Sequence, residues 1–486
     1  MSCNRPTWDR QVVLSDQRIS PQVHLSLRIF WISIKSKGKG DQVTAEIAIL
    51  NKSAVAIAAD SAVTISAGDS QEKIFDSADK LFELCDKNPI GIMLYNGMEF
   101  MGTPLAILVK DFRSKGDRFP RVEQAGEEFP QYLQKEGLSS PASVHDQNLR
   151  SIIHPQLAYF SRRVTNELLE KIQSNTQPDD VGQFFKNALT KTLTAATKSI
   201  SRRRSAKFIG QVPSKVRLDR RSKKVVREVA QNLFPACDEE ILDLVEKFVT
   251  VAIRKDIMSP GKTGIVVCGF GEAERFPSLV WYETDGMLCG HLKYRISDAV
   301  DIDREGRVAA VMPFAQKDMI ERFLYGLDEA IEVGIKQFCR RSVPEISKSM
   351  LERLDFENDE SAKMLREEAA DAERAFLREL DQSAFQKVRE TSRSEIEDMV
   401  EFMPKPEMAK MAEALIDLTS IKRRVTRGME TVGGPVDVAV ISRAEGFVWV
   451  KRKHYFPAEL NGRFTQRMQN KISHAIGSEE NGDGND

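Results

Sequence analysis

The sequence predicts an α+β protein in which antiparallel sheets and helices come from separate stretches of the chain. The patterns run in the order strands, helices, strands, helices and a closing hairpin, which is not the strand–helix alternation of a parallel sheet. The 486 residues are 41% hydrophobic and 29% charged, with a net charge of −1. This composition excludes a disordered chain and a globally basic nucleic-acid binder. The apolar runs are too short to cross a membrane as a helix, so we expect a soluble protein.

The first elements are two pairs of strands joined by turns. Turn-forming residues, Asn51–Ser53 and Asp86–Pro89, separate short apolar runs in each pair, a pattern typical of hairpins. The predicted strands are 44–50, 54–60, 80–85 and 90–94.

Helical spacing and further strand patterns fill the rest of the chain. Apolar residues recur at helical intervals in the segments 101–113, 142–173, 180–200, 316–341, 351–402 and 406–424. The remaining predicted strands are 264–270, 278–282, 308–312, 436–442 and 447–453, of which the last two form a hairpin.

Residues 1–43 do not share this patterning. They show no sustained period and lack the apolar core and cleavage site of a signal peptide. Three interpretations remain open: a pro-segment, an ordinary extension, or a stretch upstream of the true start. The third arises because Lys37–Asp41 back-translates to a purine-rich run, as in a ribosome-binding site, just before Val43. Bacterial genes can start at a GTG codon, which inside a reading frame is read as valine.

Two further features have ordinary explanations. The basic stretch 202–227 has no interleaved aromatic residues for base stacking, so we interpret it as a solvated surface and do not expect nucleic acid as a partner. The six cysteines form no CxxC pair, which favours reduced thiols and a cytoplasmic location.

Common catalytic and cofactor motifs are missing or incomplete. Gly261-Lys262-Thr263 lacks the earlier glycine of a phosphate loop, since Asp256 stands there. Gly269-Phe270-Gly271 lacks the third glycine of a dinucleotide site. The sequence contains no HExxH and no GxSxG. We therefore expect neither a cofactor nor a metal.

The informative stretch is 44–97. Thr44 opens the first strand, Asp60-Ser61 ends the second strand sixteen residues later, Lys80 opens the third, and Asn96-Gly97 follows the fourth. This arrangement resembles the start of proteasome β subunits and their bacterial relatives, the N-terminal-nucleophile (Ntn) hydrolases. Near the C-terminus, Gly433–Ile441 and Glu445–Trp449 resemble the glycine turn and last hairpin of that family.

The resemblance implies a four-layer αββα sandwich of two antiparallel sheets with large helical insertions. The domain would cover 44–460, with insertions at about 120–260 and 345–405, between the leading segment 1–43 and a polar tail at 461–486.

The resemblance also implies the chemistry. Thr44 would supply the nucleophilic hydroxyl and, once its α-amine is free, the base. Lys80 would lower the pKa of both groups, and Asp60 would hold Lys80. The backbone N–H of Gly97, or of Asn96, would face the oxyanion.

Three departures from the family pattern accompany this resemblance. In the family, an aspartate and a serine near the glycine turn support the nucleophile. Residues 429–432 contain neither, so Glu430 or Thr431 is the candidate for this supporting role. A second supporting serine, expected around Met312–Gln316, has no counterpart there. Val43 precedes the threonine where the family has glycine, so self-cleavage is less assured.

The sequence therefore predicts a cytoplasmic threonine-type peptidase acting on peptides. The alternatives are a small-molecule amidase of the same fold and a non-catalytic, proteasome-like assembly subunit. Assembly into a ring of identical subunits is a further expectation, and a membrane partner is not expected.

Overall fold

The computed structural model describes residues 44–67, 71–75, 77–174, 180–234, 237–304, 306–354, 356, 358–425, 434–454, 456–463 and 466. The interpretations of 1–43, and most of the predicted tail at 461–486, lie outside these residues. Within the described residues, no helix is both long enough and apolar enough to span a membrane.

The strands form two large antiparallel sheets and two small ribbons. The first sheet has the strand order β13-β1-β2-β14-β15, from β1 (Ala45–Asn51), β2 (Ala54–Ala59), β13 (Ala309–Ala315), β14 (Asp437–Ser442) and β15 (Gly446–Lys451). The second has the order β5-β6-β10-β11-β12-β9, from β5 (Leu81–Cys85), β6 (Ile90–Asn96), β9 (Lys207–Phe208), β10 (Thr263–Gly269), β11 (Ser278–Leu288) and β12 (His291–Asp301). The ribbons pair β3 (Val63–Ala67) with β4 (Gln71–Phe75) and β7 (Glu99–Phe100) with β8 (Thr103–Pro104).

The helices lie between these groups of strands in the chain. They are α1 (Leu105–Arg113), α2 (Val122–Leu138), α3 (Ala142–Gln173), α4 (Val181–Ser201), α5 (Arg220–Leu233), α6 (Glu239–Ile253), α7 (Asp318–Tyr325), α8 (Glu329–Leu351), α9 (Asp359–Glu379), α10 (Lys387–Glu401) and α11 (Lys405–Val425). Five of them begin at an aspartate or asparagine whose side chain accepts a backbone N–H from the first turn, namely Asp180, Asp219, Asp238, Asp328 and Asn358. Such caps satisfy a backbone donor that the helix itself leaves unpaired.

Strand alternation places the core on both faces of each large sheet. In β1, Ala48 and Leu50 pack toward the second sheet, whereas Ile47 and Ile49 pack against α7, α10 and α11. In β6, Met93 and Tyr95 face the first sheet, while alternate residues of that strand pack against α1 and α2. Successive side chains of a strand point to opposite faces, so strands buried on both sides are nearly all apolar.

The helices α3 to α6 have a hydrophobic core of their own. It contains buried residues from all four helices, including Leu157, Leu189, Val226 and Phe248. Because these helices bury their apolar faces chiefly against each other, the segment adds mass beside the sheets without entering the space between them.

The α+β class and the three predicted hairpins are confirmed. Strands β1 and β2, β5 and β6, and β14 and β15 each pair antiparallel. All five cysteines that the structure describes are free thiols.

Some predicted boundaries are wrong. The single helix predicted for 316–341 is two helices, because Gly326 has a φ of +67° and ends α7 in a left-handed cap. The strand predicted for 278–282 continues to Leu288, through a register shift between Thr284 and Gly286, which is a bulge that lets the strand continue. The pairing strand β12 was not predicted, since its mixed, partly exposed sequence gives no clear alternation.

The close approach of Gly264 to Tyr95, its cross-strand neighbour in the second sheet, tests the packing on this face of the sheet. A Cβ at Gly264 would lie 1.8 Å from the Tyr95 ring, so we expect Gly264→Ala to lower the free energy of unfolding by about 1–3 kcal/mol. Gly261→Ala is the control because nothing lies within 4 Å of its added Cβ. Urea unfolding of both variants measures the difference, and equal stabilities would contradict this packing.

Candidate active site

Thr44 lies directly before β1, at the beginning of a strand that packs against the second sheet. Its backbone carbonyl accepts a hydrogen bond from the N–H of Gln316, 3.0 Å away. Its side chain is on the same face of the strand as Glu46, because the two residues are two positions apart. Thr44 is only 3% exposed.

Asp60 faces the beginning of β1 because of the hairpin register. Glu46 pairs with Ala59, the last residue of β2, so the residue that follows β2, Asp60, lies opposite Ala45. The N–H of Ala45 donates to Asp60 Oδ1 at 3.1 Å, and the N–H of Asp60 donates to the Ala45 carbonyl at 3.1 Å. These bonds fix the carboxylate within one residue of Thr44.

Lys80 reaches the same point from the other sheet. It directly precedes β5, and its carbonyl accepts the N–H of Leu94 in β6 at 2.8 Å. Its Nζ lies 2.5 Å from Asp60 Oδ1 and 3.1 Å from Glu46 Oε1. The side chain of Lys80 is 1% exposed and those of Asp60 and Glu46 are 0% exposed. We call Glu46, Asp60 and Lys80 the buried charge cluster.

The cluster is electrostatically paired. Burial alone would lower the pKa of Lys80, but the charges of Asp60 and then Glu46 raise it above its usual value. The ammonium therefore stays protonated inside the protein. An unpaired buried charge would cost several kcal/mol, which the opposite charges and hydrogen bonds must offset.

Glu46 connects the cluster to the candidate nucleophile. The hydroxyl of Thr44 donates to Glu46 Oε2 at 3.2 Å. Burial raises the pKa of Glu46 to about 7, against the lowering effect of Lys80, while Asp60 raises it further. Near neutral pH this carboxyl group therefore exchanges between its charged and neutral forms.

Asn96 and Gly97 follow the end of β6. Asn96 has a φ of +62°, and a Cβ at Gly97 would lie 2.1 Å from Thr263 Oγ1, so a larger residue at position 97 would have to displace the Thr263 side chain. Tyr95 stacks on Phe314 with ring centroids 6.3 Å apart, and Phe314 pairs with Glu46 across β1 and β13. The end of β6 therefore lies on the Glu46 side of the space between the sheets.

A second set of paired polar side chains surrounds the Tyr95 hydroxyl. The Tyr95 hydroxyl donates to Glu283 Oε1 at 3.2 Å and accepts the Trp281 indole N–H at 2.6 Å. Glu283 also pairs with Lys262 at 2.9 Å and with Arg295. Burial would raise the pKa of Glu283, but these two cations lower it, so Glu283 is a carboxylate at neutral pH.

The structure thus brings Thr44, Asp60 and Lys80 together, and it places Asn96 and Gly97 at the end of a strand whose Tyr95 reaches the same region. Glu430 and its alternative Thr431 lie outside the described residues. Where a supporting serine was sought, Gln316 donates its backbone N–H to Thr44.

Sequence reasoning missed Glu46. A glutamate in the otherwise apolar strand AEIAILN, two positions after the threonine, was the available signal. Alternation alone places both side chains on one face, and a buried acid needs a partner such as Lys80.

Within the described ranges, no group of three or more His, Cys, Asp or Glu side chains is arranged to hold a metal ion. No protein-family profile matches the chain. A comparison with curated protein sequences found no relative either.

The buried charge cluster predicts a large stability difference between two lysine variants. Lys80→Met leaves two buried carboxyl groups without their cation, and we expect a loss of about 3–5 kcal/mol. Lys52→Met is the control, because Lys52 pairs with Glu401 at 2.7 Å but is 33% exposed, and exposed pairs contribute about 1 kcal/mol or less.

The loss in Lys80→Met should also depend on pH. Without Lys80, the pKa of Glu46 loses its main lowering influence and rises further above its unfolded value. A raised pKa adds stability at low pH that disappears as the pH rises, so the deficit should be smaller at about pH 5 than at about pH 8. Urea unfolding at both pH values measures this, and a deficit that does not change with pH would contradict the buried cluster.

Proposed function

We propose that this chain is a threonine-type Ntn hydrolase, resembling a proteasome β subunit with helical insertions, which cleaves peptide amide bonds through an acyl-enzyme on Thr44. The observation that carries the proposal is the position of Thr44, directly before a central strand. The next residue, Ala45, donates its N–H to Asp60 of the buried Lys80–Asp60 pair. The Thr44 hydroxyl donates to Glu46, which also pairs with Lys80. A threonine hydroxyl is a weak nucleophile, and a nearby fixed cation favours its ionised form.

The layering supports the same proposal. Two antiparallel sheets share a core, and helices cover both outer faces, as expected for the αββα sandwich that the sequence resemblance implies. In this fold the nucleophile would stand at the beginning of the first strand, between the sheets, and the position of Thr44 directly before β1 is in keeping with this.

The proposed reaction has two halves. In the first, Thr44 Oγ bonds to the substrate carbonyl carbon, a base takes the hydroxyl proton, and the amine leaves with a proton. In the second, water adds to the ester, and the acid product and the Thr44 hydroxyl form. The backbone N–H of Gly97 or Asn96 would stabilise the oxyanion of each tetrahedral intermediate. The resemblance assigns the base to the α-amine of Thr44, once residue 43 has been removed.

Location and assembly belong to the same proposal. Free thiols are in keeping with the cytoplasm, and identical subunits would assemble into a ring, as the family does.

Replacing the nucleophile is the test of the proposed function. We expect Thr44→Ala to lower the turnover of fluorogenic peptides by at least about 10³-fold, because the covalent route is lost. Thr197→Ala is the control, since its hydroxyl only bonds the Leu193 carbonyl within α4, and it should keep wild-type turnover.

The other outcomes identify the alternatives. Turnover of small amides but of no peptide, lost in Thr44→Ala, would indicate an amidase of the same fold. Peptide turnover that survives Thr44→Ala would overturn the assignment of the nucleophile. A wild-type protein that turns over neither substrate class would favour the non-catalytic assembly subunit.

A further inference from the structure

Glu46 is a buried acid that the sequence resemblance does not assign to any role. It is the second residue of β1, its side chain is 0% exposed, and its neighbours in the strand are apolar. Burying a glutamate in a central strand is costly unless the group is paired and hydrogen-bonded. Its position therefore calls for an explanation from its contacts.

The two carboxyl oxygens of Glu46 have separate partners. Oε1 lies 3.1 Å from Lys80 Nζ, and Oε2 accepts the Thr44 hydroxyl at 3.2 Å. One oxygen thus pairs with Lys80. The other accepts a hydrogen bond through the proton that the proposed nucleophile must lose. This is the geometry required of a general base, which must lie within hydrogen-bonding distance of the proton that it removes.

The groups around Glu46 keep its proton exchangeable near neutral pH. Burial raises its pKa, Lys80 lowers it, and Asp60 raises it, to give a pKa of about 7. A further titratable neighbour is Tyr95 on β6, whose own pKa is raised by burial, by Glu283 and by Glu46. From β13, the strand on the other side of β1, the cross-strand neighbour is the apolar Phe314. A base that titrates near the working pH transfers protons most effectively.

We propose that Glu46 is the general base and acid of the Thr44 reaction, an inference that rests on the proposed function. As the bond between Thr44 Oγ and the carbonyl carbon forms, the hydroxyl proton moves to Glu46 Oε2. The neutral carboxyl group then gives this proton to the amide nitrogen as the C–N bond breaks.

Deacylation reverses these roles. Water adds to the ester carbonyl as Glu46 takes one of its protons, and that proton returns to Thr44 Oγ as the ester C–O bond breaks. Each turnover then leaves Glu46 ionised again. Lys80 remains protonated throughout and holds Oε1, so that Oε2 stays directed at Thr44.

The test is the pH dependence of covalent labelling of Thr44 by a β-lactone, with the modified residue identified by mass spectrometry. In the wild-type protein the labelling rate should rise with pH through a midpoint near 7, because ionised Glu46 is the active form. Glu46→Gln keeps the size of the side chain but is not a base. We expect it to label about 10²-fold more slowly and to lose the rise near neutral pH.

Control variants separate catalysis from structure. Glu401→Gln removes a glutamate–lysine pair at the β1–β2 turn and should leave the profile unchanged. If Glu46 only positions Lys80, the amide oxygen introduced by Glu46→Gln could still accept a hydrogen bond from Lys80. Glu46→Gln would then label within about threefold of wild type with the rise retained, and the inference would be overturned.

A measurement on the wild-type protein alone serves if Glu46→Gln does not fold. Carboxylic acids ionise with almost no heat, whereas ammonium groups ionise with a large one. The midpoint of the wild-type profile should therefore stay nearly constant with temperature if Glu46 is the base. A midpoint that falls steeply on warming would assign the base to the α-amine instead. If no pH gives labelling at Thr44, the proposed function itself fails.

Discussion

A lysine ammonium buried between two carboxylates is the interaction on which the geometry of the site depends. Lys80 enters from the sheet that contains β5, whereas Asp60 and Glu46 belong to the hairpin of β1 and β2. The attraction therefore joins the two sheets at the end of β1 that Thr44 precedes. Since the cluster carries two acids and one lysine, the protonation of Glu46 sets its total charge.

The surrounding core explains how such a cluster persists without solvent. Apolar residues of both sheets fill the space behind it, and the stacked rings of Tyr95 and Phe314 close one side. The three side chains of the cluster are at most 1% exposed, so the charges interact strongly, and a misplaced or missing partner is costly. The helices α3 to α6 have their own core, and their presence leaves this packing between the sheets undisturbed.

Much of the site follows from the sequence because antiparallel register is local. Sixteen residues with a central turn suffice to bring Asp60 opposite the start of β1. The contribution of Lys80 could come only from the family resemblance, since a contact between two sheets leaves no period in the sequence. Glu46 was missed although strand alternation places it beside Thr44, because its role depends on burial. The break at Gly326 was missed because helical spacing continues across it.

The charge state of Glu46 is the most direct test of the account. Infrared difference spectra of the wild-type protein and Glu46→Gln, recorded between about pH 5 and about pH 9, would follow the protonated carboxyl group itself. The account predicts a carboxylic acid signal that disappears with a midpoint of about 7 and is missing in the variant. Identical pH-induced difference spectra for the two proteins would show that Glu46 does not change its protonation state across this range, and they would contradict a buried, exchangeable carboxyl group beside Thr44.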